Sequence, residues 1–304
     1  MSLARLWHSE PQTMSATTTI QQTATLHRQE VAAGDRFEFG KNWQTFLRSV
    51  DEPRIAAAEA SLLSMLRCEN LAGRSFLDIG CGSGLFSLAA RRQGARVHSF
   101  DYDTESVACT RELRRRFAAD DAEWTIEQGS VLDREYMAAL QTFDVVYSWG
   151  VLHHTGQMWD AVGAARRDVR PGGVLFIALY NDLGTKSERW RSIKRLYNRL
   201  PRPLRPLLTA ATIAPDEVKT LARLTLSGRP IEYLKLWTHH GARGMNRWRD
   251  AVDWVGGYPY EVATPEAVFD FCRERGFALK SLKCGGAGLG CNEFVFDRTS
   301  TPSA

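Results

Sequence analysis

The sequence predicts an α/β fold, a doubly wound and mostly parallel sheet with a helical cap or insertion. Three observations predict it. Short apolar runs alternate with segments of helical spacing through the middle of the chain, as strand–helix–strand crossovers require. A glycine-rich turn at 80–84 follows the first apolar run. The alternation stops at 184–257 and then resumes, which indicates an insertion.

The elements are predicted in chain order from their periodicity. Helical patterns come first, at 42–47 and in the alanine-rich stretch 54–66. The strands are predicted at SFLDI, ARVHSF, EWTIEQ, FDVVYSW, VLFIALY, FALKSLK and NEFVFDR. The helices among them are predicted at 85–93, 104–117, 158–169 and 265–276.

These patterns divide the chain into five segments. We expect a disordered leader at 1–26, which is rich in Ser, Thr and Gln, so that either Met1 or Met14 could be the start. The other segments are cap helices at 27–70, a cofactor-binding core at 71–183, a helical insertion or lid at 184–257 and the C-terminal part of the sheet at 258–304.

Composition narrows the class of protein. The 304 residues suffice for one sizeable core, and no apolar run approaches the roughly 20 residues of a membrane span. The N-terminus lacks the apolar core of a secretory signal, so a cytoplasmic location is expected. The six cysteines are scattered without a CxxC pair, which predicts reduced thiols and no metal site. A net charge of +4 does not indicate a nucleic-acid partner, and no oligomeric state is predicted.

The glycine-rich turn carries the first functional signal. Gly80, Gly82 and Gly84 stand at every second position, whereas a dinucleotide fingerprint would require a glycine where this chain has Leu85. Such a turn exposes backbone amides to a ligand. Asp78 ends the preceding apolar run, and a buried carboxylate is costly without donors or a cation. A ligand that bears an ammonium group would supply that partner.

Asp101 is the second signal, because it ends the second predicted strand 21 residues after Gly80. An acidic residue at this spacing accepts hydrogen bonds from ribose hydroxyls. Together with Asp78 and the glycines it describes a pocket for an amino-acid end, a closely packed middle and a ribose, which is S-adenosylmethionine. The plainer interpretation is a tight turn with a surface aspartate.

The chain resembles the class I S-adenosylmethionine-dependent methyltransferases over roughly residues 70–180. The motifs that carry the resemblance are LDIGCGSG, FDYD, EQGSVLD, FDVVYSWGVLHH and RPGG. They look closest to the small-molecule branch related to ubiquinone-biosynthesis O-methyltransferases. The resemblance implies a Rossmann-like sheet of seven strands, of which the last is antiparallel and corresponds to NEFVFDR.

The resemblance also implies further cofactor-binding residues. Tyr102 belongs to the FDYD motif, and Ser130 and Val131 would flank the adenine. Trp149 and Gly150 would border the methionine. Ser130 is a departure, because many relatives carry an aspartate there that meets the adenine amino group.

His153 is the predicted general base. It lies with His154 just beyond the fourth predicted strand, at the edge where open α/β sheets bind ligands, and a histidine suits deprotonation near neutral pH. The alternative is that one or both rings bond to the loop or cap the next helix. His239 and His240, in the insertion, are expected to be solvated.

His154 and five further residues are predicted to face the acceptor. Tyr180 and Asn181 end the fifth strand, and Tyr258, Tyr260 and Glu261 lie in an aromatic, glycine-rich stretch. The alternative for the tyrosines is that they pin the insertion to the core.

The basic segment 186–205 has three interpretations: a lid with a solvated outer face, which we favour, a site for an anionic substrate, or a helix that contacts a membrane surface transiently. Helical spacing places its apolar side chains on one face and its cations largely on the others. The apolar set is Trp190, Ile193, Leu196, Tyr197 and Leu200.

The sequence therefore predicts a methyltransferase that uses S-adenosylmethionine. The methyl group would move by an SN2 step to a nucleophilic atom, most simply oxygen, of a small-molecule metabolite. The alternative is an enzyme that modifies RNA or protein and docks through 186–205, although no RNA-binding signature accompanies that segment.

Overall fold

One seven-stranded sheet organises the part of the chain that the computed structural model describes, residues 16–119, 121–238, 247–286 and 288–299. The strands are β1 Ser75–Ile79, β2 Arg96–Asp101, β3 Trp124–Gln128, β4 Phe143–Trp149, β5 Val169–Tyr180, β6 Phe277–Lys283 and β7 Cys291–Arg298. Their order is β3-β2-β1-β4-β5-β7-β6, parallel except for β7, which is antiparallel to both neighbours. The predicted fold is confirmed.

Helices cover both faces of the sheet and one of its edges. Those before β6 in the core are α3 Glu52–Leu66, α4 Leu85–Arg92, α5 Thr104–Phe117, α6 Arg134–Ala139 and α7 Met158–Arg167, and α12 Pro265–Arg273 leads into β6. The additional helices are α1 Ala16–Ala33, α2 Gly40–Phe46, α8 Thr185–Arg199, α9 Arg205–Leu226, α10 Pro230–Thr238 and α11 Arg247–Gly256. Within the described ranges, no helix combines the length and apolar character needed to cross a bilayer.

Side-chain alternation along β1 decides which way its acid points. Phe76 packs with α3, α4 and α5 on one face, whereas Leu77 and Ile79 pack with α7 and α12 on the other. Successive strand residues point to opposite faces. Asp78 therefore shares the face of Phe76 and lies towards α4.

The expectation of disorder at 1–26 is wrong for residues 16–26, which belong to α1; residues 1–15 lie outside the described ranges. Tertiary contacts explain the helix that the polar sequence does not predict. Thr23 and His27 are buried. The His27 ring meets the Tyr102 ring edge-on, with centroids 5.2 Å apart.

The N-terminal helices and the insertion meet over the carboxyl edge of the parallel strands. The Gly40 N–H donates to Asp103 Oδ2 at 2.8 Å, and the Phe37 N–H donates to Tyr258 O at 2.9 Å. Phe37 also packs with Tyr197 of α8 and with α11. These two segments, which are far apart in the chain, thus form a single cap. His239 and His240 lie outside the described residues.

Helix α8 departs from its predicted faces. Trp190, Ile193 and Tyr197 pack inward as predicted, but Leu196 is 49% exposed. Lys194 is completely buried instead of solvated. The helix is rotated so that the face formed by residues 190, 194 and 197 packs on the core. Lys194 is therefore buried together with the apolar side chains.

Replacement of Gly84 tests how closely the start of α4 packs on α5. Its φ is +79°, and an added Cβ would lie 2.7 Å from Thr110 Cγ2. We expect Gly84→Ala to combine backbone strain of about 1–2 kcal/mol with overpacking of about 1–3 kcal/mol. Gly172→Ala is the matched control, because its φ is +73° and the Cβ would meet open space. Thermal unfolding should show the larger loss for Gly84→Ala, and equal losses would contradict the packing argument.

Candidate active site

The glycine loop brings the chain after β4 against the chain after β1. Gly80, Gly82 and Gly84 have φ of +78°, +54° and +79°, the left-handed region that favours glycine. A Cβ on Gly80 would lie 2.3 Å from Val151 Cγ1. The Gly80 N–H donates to Phe100 O at 2.8 Å, which fixes the loop on β2. The loop is therefore closely packed against the chain after β4, and its approach by a ligand stays a prediction.

Asp101 locks the glycine loop to the end of β2. Its Oδ2 accepts the Gly82 N–H and its Oδ1 accepts the Asp103 N–H, each at 2.9 Å. Burial and the charge of Asp103 raise the pKa of Asp101 to about 7, although the two N–H bonds act in the opposite direction. Each oxygen keeps a second lone pair, so the carboxylate can still accept a ligand hydroxyl.

Asp78 lies beneath the loop and is held by the chain itself. It is 2% exposed, and Ser87 Oγ of α4 donates to its Oδ2. Burial raises the pKa of Asp78 to about 7, the Ser87 bond lowers it and the charge of Asp101 raises it. This carboxyl group has a hydroxyl donor on the side of α4, so its contact with a ligand ammonium stays a prediction.

Tyr102 connects the end of β2 to the cap. The Arg36 guanidinium lies 4.8 Å from the centroid of its ring, and Arg36 also donates to His154 O at 2.8 Å. Burial raises the pKa of Tyr102 to about 12, with the charge of Glu30 contributing. One arginine of the cap thus contacts both the β2 end and the β4 end of the site.

The residues predicted from resemblance differ in what they offer a ligand. Val131 is 6% exposed within the core, so only its backbone is available. Ser130 Oγ accepts the Leu132 N–H at 3.2 Å. Trp149 packs partly buried against the α3–α5 side. Gly150 has a φ of +75° and no atom within 4 Å of its Cβ position, which leaves open space at the end of β4.

His153 is a neutral, buried ring. It is 0% exposed, and its Nδ1 accepts the Tyr180 N–H at 3.3 Å. The ring also bonds to the backbone of Ala178, and its Nε2 makes no hydrogen bond within the described ranges. Burial, together with the charges of His154 and Lys194, keeps the pKa of His153 well below its usual value. A group with so low a pKa accepts a proton poorly at neutral pH.

His154 is committed to the loop before α12. Its Nδ1 lies 2.6 Å from Pro259 O, so Nδ1 is assigned as the donor, and burial lowers its pKa to about 3. His154 therefore bonds to a loop, which is the alternative to a catalytic role.

Two predicted acceptor residues have their side chains occupied. Asn181 accepts from Asn292 Nδ2 at 3.0 Å and donates to Gly286 O at 3.3 Å, which holds the turn between β6 and β7. The Glu261 oxygens accept the Met158 N–H at 3.2 and 3.1 Å and so cap the start of α7. Burial raises the pKa of Glu261, and backbone bonds oppose that shift.

The tyrosines pin the cap and also line the edge. Tyr258 OH accepts from Arg195 Nε at 3.2 Å, and Tyr260 O accepts from Arg191 Nε at 3.1 Å. The Tyr260 ring is 2% exposed, with its centroid 5.3 Å from that of Tyr180. These contacts fit the interpretation that the tyrosines pin the insertion to the core, and their contact with an acceptor stays a prediction.

Sequence reasoning missed Lys194, whose Nζ donates to Trp254 O in the middle of these rings. It was grouped with the solvated cations of 186–205. A signal was present, because Lys194 stands four residues after Trp190 and three before Tyr197, on the apolar face of the helix.

Comparisons with known proteins relate the chain to a family. A family model described as a methyltransferase domain matches residues 51–214. A ubiquinone biosynthesis O-methyltransferase of Pseudomonas aeruginosa (strain UCBPP-PA14) is 35% identical over 113 residues, which are 36% of this chain and 46% of the relative. Another of that name, from Paraburkholderia xenovorans (strain LB400), is 31% identical over 163 residues, 51% of this chain and 65% of the relative. The chain thus spans less than two thirds of these relatives.

A solved structure is similar in fold. The magnesium protoporphyrin IX methyltransferase of Synechocystis PCC 6803 with bound SAH aligns over 94% of this chain and 100% of its own, with a TM-score of 0.52 and 11% identity. At that identity the likeness concerns the fold alone.

The Asp78 carboxyl group should destabilise the fold above neutral pH. Its pKa is near 3.8 when unfolded and about 7 when folded, so the unfavourable contribution grows as pH rises from 4 to 7. We expect Asp78→Asn to raise Tm at pH 8 by at least about 2–4 °C, corresponding to roughly 1 kcal/mol, and to change little at pH 4.

Asp144→Asn is the control of opposite sign. Burial opposes ionisation of Asp144, but the Ser75 bonds, each of 2.8 Å, and the charge of Arg170 lower its pKa. This variant should therefore lower Tm at pH 8. Melting curves between pH 4 and 8 decide the matter, and a Tm of Asp78→Asn below wild type at pH 8 would contradict the desolvation argument.

Glu261 is expected to act as a helix cap. Glu261→Ala should reduce the free energy of unfolding by about 0.5–2 kcal/mol, because the Met158 N–H loses its acceptor, and Glu261→Gln should restore part of it. Glu266→Ala, at an exposed position in the first turn of α12, is the control. Denaturant titration measures the loss, and unchanged stability of Glu261→Ala would contradict the capping role.

Proposed function

The chain belongs to the methyltransferase domain family, and on that basis we propose that it transfers a methyl group from S-adenosylmethionine to an oxygen atom of a small molecule. The observation that carries the proposal is the left-handed glycine loop after β1, bonded through the Gly82 N–H to the carboxylate that ends β2. This is the arrangement that a nucleoside with an amino-acid tail needs.

The residues of this edge fit that cofactor. In the proposal, Asp101 accepts the ribose hydroxyls, and Asp78 compensates the ammonium charge from beneath the loop. Tyr102, Ser130 and the Val131 backbone border the base. Trp149 and Gly150 border the methionine at the open end of β4. When bound, S-adenosylmethionine supplies a methyl group on a positively charged sulfur, which is already activated for transfer.

The chain supplies position and exclusion of water. The cap closes over the carboxyl edge through contacts of Phe37, Arg36 and Gly40. Fixing two reactants in line is worth up to about 7–11 kcal/mol in well-oriented systems. In this scheme His153 orients the acceptor through Nε2 rather than accepting its proton, because its ring is held neutral.

An oxygen acceptor is supported by the relatives, which are named ubiquinone biosynthesis O-methyltransferases. The aromatic edge formed by Tyr180 and Tyr260 suits a flat organic acceptor. Six free thiols support a reducing, cytoplasmic compartment. The bonds from Arg191 and Arg195 to the Tyr258–Tyr260 stretch support α8 as a lid.

The second candidate is docking on RNA or protein through 186–205. The observation in its favour is the exposed row of Arg191, Arg195 and Arg199, which lines a surface groove of about 280 Å³. Strongly salt-dependent RNA binding would favour it, and a transient membrane contact would appear as binding to anionic vesicles.

Calorimetry with S-adenosylhomocysteine tests the proposed cofactor site. We expect the wild type to bind, and Asp101→Asn to weaken binding by about 10–100-fold, since a bond to a charged acceptor is worth about 1.5–3 kcal/mol. Affinity should rise from pH 6 to pH 8, because the pKa of Asp101 and of Asp78 is about 7 and the ionised forms bind.

Asp270→Asn, on the exposed side of α12, is the control and should bind as the wild type does. Absence of binding by the wild type, or tight binding of a nicotinamide dinucleotide instead, would overturn the proposal. An unchanged affinity of Asp101→Asn would remove that residue from the ribose site.

A further inference from the structure

Lys194 of α8 is a buried amine within an aromatic cage. Its side chain is 0% exposed, and Nζ donates to the backbone oxygen of Trp254. Nζ lies 4.2 Å from the Trp254 ring centroid, 4.9 Å from that of Tyr260, and 5.9 Å from those of Trp190 and Tyr180. The faces of these rings favour a cation, but they provide no lone pair for its other hydrogens.

This amine lacks the partner that a buried charge requires. Within the described ranges no ion pair joins Nζ to a carboxylate, and one N–H of three is used. Burial lowers the pKa of Lys194 to about 7, and the more distant charge of Asp253 raises it only in part. An apolar side chain of similar volume should therefore replace Lys194 without loss of stability, so the fold itself does not require the amine.

Two further buried polar atoms near the cage also lack partners. His153 Nε2 and Tyr260 OH have no hydrogen-bond partner within the described ranges. Both rings contact Tyr180, with centroid separations of 3.9 Å for His153 and 5.3 Å for Tyr260. Two polar atoms without a partner and one amine with unused hydrogens therefore lie around one tyrosine at the end of β5. Buried groups of this kind indicate a missing polar ligand.

We propose that Lys194 is the proton acceptor of the acceptor site, and that the acceptor carries an acidic hydroxyl of the phenol or enol type on a flat ring. The inference rests on the proposed function. The acceptor O–H bond breaks and its proton goes to the neutral amine. The oxygen lone pair then forms the bond to the methyl carbon, while the carbon–sulfur bond breaks and leaves its electron pair on sulfur.

The acidity of the hydroxyl follows from the amine. A phenol with a pKa of about 10 lies roughly three units above an amine with a pKa of about 7, whereas a hydroxyl as weakly acidic as water lies about nine units above it. The first transfer is readily accessible and the second is not. Sugar and alkyl alcohols are thereby disfavoured as acceptors.

Among the charged and titratable groups around the cage, Lys194 is the one whose protonation changes near neutral pH. His153 and His154 face it from the loop after β4 and stay neutral there. Tyr180 and Tyr260 contribute rings, and Asp253 of α11 hydrogen-bonds to Asn42. Proton acceptance should therefore fail below about pH 7, where the amine is already protonated.

The test uses 3-nitrophenol with the 304-residue chain saturated with S-adenosylhomocysteine. In the wild type, the absorbance of the bound probe should show the phenolate at a pH at least one unit below its midpoint in solution, a tenfold shift in the equilibrium. Lys194→Met should abolish this shift while melting at or above the wild-type temperature. Lys186→Met, which removes an exposed lysine of the same helix, should keep it.

Lysine Cε NMR of the wild type gives a second readout that needs no variant. One resonance should titrate near pH 7 and move when the probe binds. Lack of probe binding, binding as the neutral phenol, an unchanged shift in Lys194→Met, or no lysine that titrates near pH 7 would each overturn the inference. Failure of the proposed function is distinguishable, because S-adenosylhomocysteine itself would then not bind in calorimetry.

Discussion

Removal of water from the carboxyl edge of the parallel strands is the constraint on which the site depends. The groups at this edge are buried, and burial raises the pKa of Asp78 and Asp101 and lowers that of His153 and Lys194. All four shifts favour the uncharged form of their group. The edge is therefore a region of low charge whose groups become charged in response to a ligand, and both proposed binding events use that property.

The topology brings these groups together although they are far apart in the chain. The order β3-β2-β1-β4-β5 places the ends of five parallel strands side by side. The ends of β1 and β2 hold the glycine loop and Asp101, and the ends of β4 and β5 hold His153 and Tyr180. The insertion after β5 then returns over the same edge through α8 and α11 and delivers Lys194. The fold thus separates a cofactor half from an acceptor half along one line of strand ends.

Sequence periodicity predicted the sheet and the glycine loop because each depends on local patterns. Alternating apolar runs determine strands, and the spacing of Asp101 from Gly80 follows from one crossover. Residues that act through distant partners could not be read in this way. Glu261 caps a helix more than a hundred positions away, Asn181 holds a turn before β7, and α1 is helical through contacts with Tyr102. Lys194 differs for another reason. The composition of its segment suggests a solvated cation, whereas its spacing from Trp190 and Tyr197 places it on the apolar face of the helix.

Arg36 is a side chain of the cap that touches both halves of the site. Its guanidinium covers the Tyr102 ring on the nucleoside side and donates to His154 O on the acceptor side. A guest that shifts this arginine in one half alters the free energy available to a guest in the other, and linkage makes the influence mutual and equal in size. We therefore expect Arg36 to link the occupancy of the two halves.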